Sequence, residues 1–232
     1  MEGLTNLKEV VEYKTLAYYY DYLLQDIESL DLWLKYIEEK PFSSCLELAS
    51  GSGVMAKILK DKGYDIIASD ISEEMKDVAS KRFDGTYLIL NMADYHLDKK
   101  FDLILCICDS LNYLNEDELD SFFKCAYDHL NKGGRLIFDM HHPSRLAEFK
   151  EEYIEEGQLN DGNFYQWTII SDDIDKTINE HFTFYLNHDM IQEHHVQHVF
   201  DPKIIKDKMN AYFDVRIIED FVQDEKILII GD

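Results

Sequence analysis

Cys45-Leu46-Glu47-Leu48-Ala49-Ser50-Gly51-Ser52-Gly53-Val54-Met55-Ala56 decides the fold. An apolar run with one acid near its end gives way to small residues, then to helical spacing through Ile58 and Leu59. This is the order of a buried strand, a tight glycine loop and a helix N-terminus. Glycines let a ligand approach bare backbone N–H groups, with the helix dipole behind them. Downstream, Ile66-Ile67-Ala68-Ser69-Asp70 reads as a second buried strand ending in a carboxylate. A carboxylate there can accept hydrogen bonds from both ribose hydroxyls of a nucleoside ligand.

Outward from this unit the chain alternates. The helix after the loop runs to about Asp61, with Gly63 as its stop. Ser72 stands as the N-cap of the next helix, and Met75 faces inward from it. Residues 87–91, 101–108 and 134–140 read as further strands, and 116–129 as a helix. The run 101–108 is almost continuously apolar, as a central parallel strand requires. Such alternation gives an α/β, doubly wound, mostly parallel sheet whose ligands sit at the carboxyl ends of its strands. Residues 150–200 break the alternation. The β-rich, aromatic segments 164–170, 177–185 and 191–200 read as an antiparallel meander, inserted before a last helix that starts at Pro202. Residues 215–219 and 227–230 complete a seven-stranded sheet. Over residues 4–39, Leu7, Val10, Val11, Leu16, Tyr20, Ile27 and Ile37 fall at roughly helical spacing, which predicts a helical lid. The expected organisation is a lid over 1–40, a core over 41–149 and 201–232, and a substrate cap over 150–200.

At 232 residues the chain is long enough for one α/β domain with an insert, and 46% hydrophobic residues exclude general disorder. Lys plus Arg number 23 against 47 Asp plus Glu, a formal charge of −24. Such a surface repels phosphate backbones at long range, so nucleic acid is not an expected partner. No apolar run approaches a membrane span, and Met1-Glu2-Gly3 leads into a charged stretch rather than an apolar leader. Cys45, Cys106, Cys108 and Cys125 lie in apolar patterns without C-x-x-C spacing. Reduced core thiols in a cytoplasmic protein are expected. The sequence leaves the oligomeric state open.

The loop alone suits two cofactors. Gly51, Gly53 and Ala56 satisfy the permissive dinucleotide fingerprint, which points to NAD. Glu47 points elsewhere. A dinucleotide fold usually has an apolar residue there, whereas S-adenosylmethionine brings an ammonium that needs an acceptor. The pattern also continues: Glu47-x-Ala49-x-Gly51-x-Gly53, Asp70-x-Ser72-x-x-Met75-x-x-x-Ala79, Ala93-Asp94, Phe101-Asp102-Leu103-Ile104 and Leu130-x-x-Gly133-Gly134-x-Leu136. Over most of its length the chain resembles the class I S-adenosylmethionine-dependent methyltransferases, with Ala49 where that family usually has glycine. The resemblance implies a Rossmann-like sheet whose last strand pair brings an antiparallel edge. It implies that Glu47, Ala49, Ser50, Gly51 and Gly53 hold the methionine tail. Asp70 would hold the ribose, Ile71 and Met75 the adenine ring, and Ala93-Asp94 the adenine amino group. Cys108 and Asp109 complete the implied cofactor contacts. Tyr13, Ala17, Tyr20 and Asp21 match a Y-x-x-x-A-x-x-Y-D pattern of the family, with Tyr20 or Tyr13 closing over the cofactor.

Methyl transfer from a sulfonium is a one-step displacement, so the protein has mainly to align the nucleophile and exclude water. A general base is useful but not obligatory. The stretch Asp109-Ser110-Leu111-Asn112-Tyr113-Leu114 resembles the small-molecule branch related to sugar N-methyltransferases and glycine N-methyltransferase. No N/D-P-P-Y/F motif of the enzymes that methylate bases or a release-factor glutamine occurs there. Along 191–200, alternation puts Glu193, His195 and Gln197 on one face and His194, Val196 and His198 on the other. No three ligands then converge, and no metal is expected. By resemblance an E-x-H-x-Q strand lies over the active site. His195 is then the expected catalytic residue, with Tyr13, Asn112, Tyr113, His141, Trp167, Glu193 and Gln197 toward the substrate. The plainer alternative is a hydrogen-bonded histidine on a half-exposed strand. The expected function is methyl transfer to nitrogen or oxygen of a small molecule. The alternatives are a protein or RNA substrate, a non-catalytic S-adenosylmethionine-binding module, and an NAD-dependent oxidoreductase.

Overall fold

The computed structural model describes residues 7–10, 13–24, 30–187, 189–222 and 225–232, with only the backbone of 7–10. Val11 and Ile27 of the predicted lid lie outside these residues. The N-terminal part comprises β1 (Leu7–Val10), α1 (Leu16–Leu23) and α2 (Leu30–Ile37). The core opens with β2 (Ser44–Glu47), α3 (Val54–Asp61), β3 (Asp65–Asp70), α4 (Glu73–Ala79), β4 (Thr86–Ile89) and β5 (Phe101–Cys106). A 3-10 turn over Ser110–Tyr113 leads to α5 (Glu116–Asp128), β6 (Leu130–His141) and α6 (Arg145–Glu148). The insert is β7 (Tyr153–Gln158), β8 (Phe164–Asp172), β9 (Thr177–Leu186) and β10 (Asp189–His198). The chain closes with α7 (Pro202–Met209), β11 (Val215–Val222) and β12 (Lys226–Gly231).

The strand β5 shows why the core is layered. Leu103 and Leu105 pack on one side of the sheet with Cys45, Met55, Leu59 and Trp33. Ile104 and Cys106 pack on the other with Leu46, Phe122, Phe123 and Phe138. A strand that is apolar on both faces must be covered by helices on both. The helices are started by local chemistry: Ser72 Oγ accepts from the Met75 N–H at 3.1 Å, and Asn115 and Glu118 form a reciprocal capping box.

Among the described residues the strands form two sheets. The larger has the order β11-β12-β6-β5-β2-β3-β4. It is parallel from β6 to β4 and antiparallel at β12 and β11. This is the expected seven-stranded, mostly parallel, Rossmann-like sheet. Winding runs outward from β2 through β4, then returns to the other side of β2 at β5, so a crevice opens at the carboxyl ends of β2 and β5. The smaller sheet has the order β1-β10-β9-β8-β7: β7 to β10 are the antiparallel insert between β6 and α7, and β1 joins its edge in parallel.

Two segments differ from the sequence reading. Leu7–Val10 is not helical: it pairs parallel with β10, from Leu7 beside Met190 to Val10 beside Glu193. Four residues fit helical and strand spacing equally, and the open edge of β10 supplies the hydrogen bonds. The sequence reading places no strand between 150 and 163, where the structure has the edge strand β7 (Tyr153–Gln158). Gly157 lies against the Tyr165 ring, where an added Cβ would come within 2.7 Å. Among the described residues, no helix is long and apolar enough to cross a membrane.

Candidate active site

Two adjoining cavities lie in the crevice. They share Tyr13, Tyr20, Ala49, Gly51, Cys108, Ser110 and Tyr113. One, of about 440 Å³, runs over β3 and α4 and is lined by Asp70, Ile71, Met75, Asn91 and Met92. The other, of about 320 Å³, lies between the glycine loop, α1 and the insert. Glu47, Ser50, His141, Arg145, Trp167, Glu180, Gln197 and Lys226 line it.

The loop is held by its own backbone. Ala49, Gly51 and Gly53 take φ of 50°, 53° and 76°. The Ser50 N–H donates to the Ser69 carbonyl at 2.8 Å, and the Gly51 N–H to Asp70 Oδ2 at 2.9 Å. At Gly53 a Cβ would meet the Ala79 Cβ at 3.1 Å, so glycine is required there for packing as well as for φ. Asp70 Oδ1 accepts from the Ser72 N–H at 2.9 Å. One oxygen of Asp70 thus braces the glycine loop and the other the start of α4, and each keeps lone-pair capacity. Burial raises its pKa above the ordinary value.

Glu47 is 2% exposed. Its Oε2 accepts from Ser50 Oγ at 2.8 Å, and among the described residues no cation pairs with it. Burial pushes its pKa up to about 8. A ligand ammonium beside it would restore the charge. Ile71, at the cavity wall, is 67% exposed, an apolar surface that a flat ring can cover. The residues present therefore fit S-adenosylmethionine: Glu47 for the ammonium, Asp70 for the ribose, Ile71 and Met75 for the adenine. When bound, this cofactor supplies an electrophilic methyl group.

Other predicted site residues sit differently. Ala93 is core and Asp94 is exposed, and neither lines the cavities; Asn91 and Met92 stand there instead. Asn112 is fully buried and spent on backbone, donating to the His198 carbonyl at 2.5 Å and accepting from the His141 N–H at 3.0 Å. Glu193 points to α1 rather than to the cavity, its Oε1 accepting from the Thr15 and Leu16 N–H groups. His195 is fully buried behind two tyrosines and does not line either cavity. Its Nδ1 lies 3.3 Å from the Tyr113 hydroxyl, which lies 2.7 Å from that of Tyr13.

Cys108 and Asp109 take consecutive left-handed φ values, 63° and 59°. This turns Asp109 toward Lys226, 2.6 Å away. His141 Nε2 is 2.9 Å from Gln197 Oε1, and burial lowers its pKa. Trp167 stacks on Phe182, ring centroids 5.3 Å apart. Sequence reasoning missed Glu180, Arg145 and Lys226. The signals were present: Glu180 interrupts the buried series Ile178, Phe182, Phe184 on one face of β9, and Lys226 precedes the buried run Ile227 to Ile230.

Residues 45–134 match the family described as "Methyltransferase domain". The protein named "Putative methyltransferase YqeM" of Bacillus subtilis (strain 168) is 28% identical over 228 residues, 92% of this chain and 91% of that protein. An S-adenosylmethionine-dependent methyltransferase from Clostridium acetobutylicum superposes with a TM-score of 0.76 at 24% identity, covering 94% of this chain and 97% of that one. The sugar N-methyltransferase KedS8 from Streptoalloteichus superposes with a TM-score of 0.77 at 19% identity, covering 92% and 90%. With the braced glycine loop and Glu47 at the mouth of β2, these likenesses give the chain a methyltransferase domain over residues 45–134 within the class I methyltransferase fold.

Proposed function

We propose that the chain moves a methyl group from S-adenosylmethionine to a nitrogen or oxygen of a small-molecule acceptor. One observation carries this reading. The cavity lined by Glu47 is lined also by Trp167, Glu180 and Gln197 from the insert. A methyl group presented beside Glu47 would face a cleft of about 320 Å³, small-molecule size. The small-molecule substrate named for KedS8, a sugar, is of the same kind. In this reading α1 is a lid. Asp21 pairs with Arg82 and accepts from Ser52 Oγ at 2.5 Å, which fastens α1 to the core while Tyr13 and Tyr20 face the cavities. The cap excludes water and aligns the acceptor, and a cytoplasmic location suits the reduced thiols.

The test is calorimetric titration with S-adenosylmethionine, S-adenosylhomocysteine and NAD on the native chain and Asp70→Ala. It is followed by transfer of labelled methyl to a pool of primary amines, secondary amines and alcohols. The expected result is micromolar binding of the first two ligands, weakened in the variant, no NAD binding, and labelled small-molecule product. Binding without labelled product in the pool would refute the small-molecule reading, and NAD binding would refute the cofactor.

A further inference from the structure

Glu180 lies on β9 directly across from His195 on β10. Its neighbours on that face, Ile178, Phe182 and Phe184, are buried and apolar, yet Glu180 lines the cavity of Glu47. The other acids there are engaged or exposed. Asp109 pairs with Lys226, Glu47 takes the Ser50 hydroxyl, and Glu225 is exposed at the rim. Among the described residues no hydrogen bond or ion pair holds the Glu180 carboxylate. The charged and titratable groups that act on it or share its cavity are Asp109, His141, Arg145, His195 and Lys226, together with Glu47, Glu225, Cys108 and the phenols of Tyr13, Tyr20 and Tyr113. Burial pushes its pKa up to about 7, with His195 and Arg145 pulling it down and Asp109 pushing it further up. The competing bases are poorly placed. His195 is shut behind Tyr13 and Tyr113, His141 is held by Gln197, and burial keeps the Tyr13 phenol protonated.

We propose that Glu180 touches the methyl acceptor and takes the proton its nucleophilic atom loses; this rests on the small-molecule reading above. The acceptor's lone pair forms the new carbon–nitrogen or carbon–oxygen bond. The pair of the broken carbon–sulfur bond stays on sulfur, and the acceptor's proton goes to a Glu180 carboxylate oxygen. Sulfonium and carboxylate become thioether and carboxylic acid, so charge balances. The acceptors are then molecules with a removable N–H or O–H, and tertiary amines and thioethers are excluded. Arg145 is a positioning residue whose charge sets the strength of Glu180.

Carboxyl-¹³C glutamate is titrated by magnetic resonance in the S-adenosylhomocysteine-saturated chain, native, Glu180→Gln, Glu47→Gln and Arg145→Met. One resonance with a midpoint near 7 is expected, lost only in Glu180→Gln and moved upward in Arg145→Met. A Glu180 resonance titrating in the ordinary carboxylate range, about 4.3, would overturn the proposal without any acceptor. With labelled S-adenosylmethionine and the same pool, Glu180→Gln should lower kcat about a hundredfold and lose the acidic limb near pH 7, whereas His195→Gln keeps that limb. Retained binding of S-adenosylhomocysteine reports that Glu180→Gln, Arg145→Met and His195→Gln are folded, and a retained cooperative thermal melt reports it for Glu47→Gln. Native turnover in Glu180→Gln overturns the proposal alone, whereas no product from the native chain overturns the small-molecule reading with it.

Discussion

At the residue scale the site depends on groups held away from their solution preferences. Glu47 is a buried acid lifted to about 8, and its ionised form is the one an ammonium prefers. Below pH 8, binding S-adenosylmethionine must expel a proton, so affinity should fall about tenfold per pH unit as pH drops. Calorimetry in two buffers of different ionisation heat would show the proton release, and Glu47→Gln should abolish both the release and the slope. The sign for folding is opposite. The folded pKa lies above the unfolded one, so this group's contribution is full below pH 4.5 and is lost as pH rises through about 8. Ala49 is strained in another way, by a φ of 50°. The left-handed region costs a non-glycine residue about 1–2 kcal/mol, and glycine's extra unfolded freedom returns about 0.4–1. Ala49→Gly should therefore stabilise the chain by up to about 1 kcal/mol in denaturant titration. A loss of stability would mean that the Ala49 methyl packs more tightly than its strain costs.

At the element scale the start of α1 is tied to the insert by Glu193, while Tyr19 and Tyr22 donate to Asp161 Oδ2 and the Gln158 carbonyl further along the helix. Glu193 is 1% exposed, its Oε1 takes the first N–H groups of α1, and its Oε2 lies 3.6 Å from His195 Nε2. It is an N-cap supplied from another sheet. Glu193→Ala should cost about 2–3 kcal/mol, from the lost cap and the stranded imidazole. Hydrogen exchange over residues 13–24 should quicken, while β9 and β10 stay protected. Unchanged exchange there would show that α1 is held by Asp21 and Arg82 instead. These ties also explain what the sequence could and could not reveal. The strands β2, β3 and β5 were legible because burial on both faces leaves a run of apolar letters, and Glu47 and Asp70 stood out as acids at the ends of such runs. The edge strands β1 and β7 were not, because an edge takes its hydrogen bonds from a neighbour and keeps a polar, short sequence. Asn112 and Glu193 looked like substrate groups for the same reason: a polar residue spent on distant backbone cannot be told from a free one until the partner strand is placed. Glu180 was the converse: the apolar alternation of Ile178, Phe182 and Phe184 marks its face as inward, but only the paired sheet shows that its position opens on the cavity.

At the scale of the whole molecule, the last strand closes the site from behind. Lys226 begins β12, and its Nζ lies 2.6 Å from Asp109 after β5, 3.5 Å from Asp139 on β6 and 5.4 Å from the centroid of the Trp33 ring on α2. Three distant parts of the chain thus meet at one cation. Burial and the neighbouring Asp109 charge already push Asp139 up to about 6, while Lys226 holds Asp109 below its ordinary range. Lys226→Met keeps the apolar stem and removes the charge, leaving two buried acids facing each other. Breaking a buried pair this way costs about 3–5 kcal/mol at neutral pH. The pH dependence gives the mechanism away. Without Lys226 both folded pKa values should rise above the ordinary 3.8, so the stability these acids allow is full below that value and is lost as pH rises through the raised ones. Thermal melts of the variant should approach the native chain toward pH 4 and diverge toward pH 8, and Asp139→Asn in the same background should recover part of the deficit. A deficit that is constant across that range would mean Lys226 contributes packing against Trp33 rather than charge, and the cavity's acids would have to be neutralised by something other than this strand.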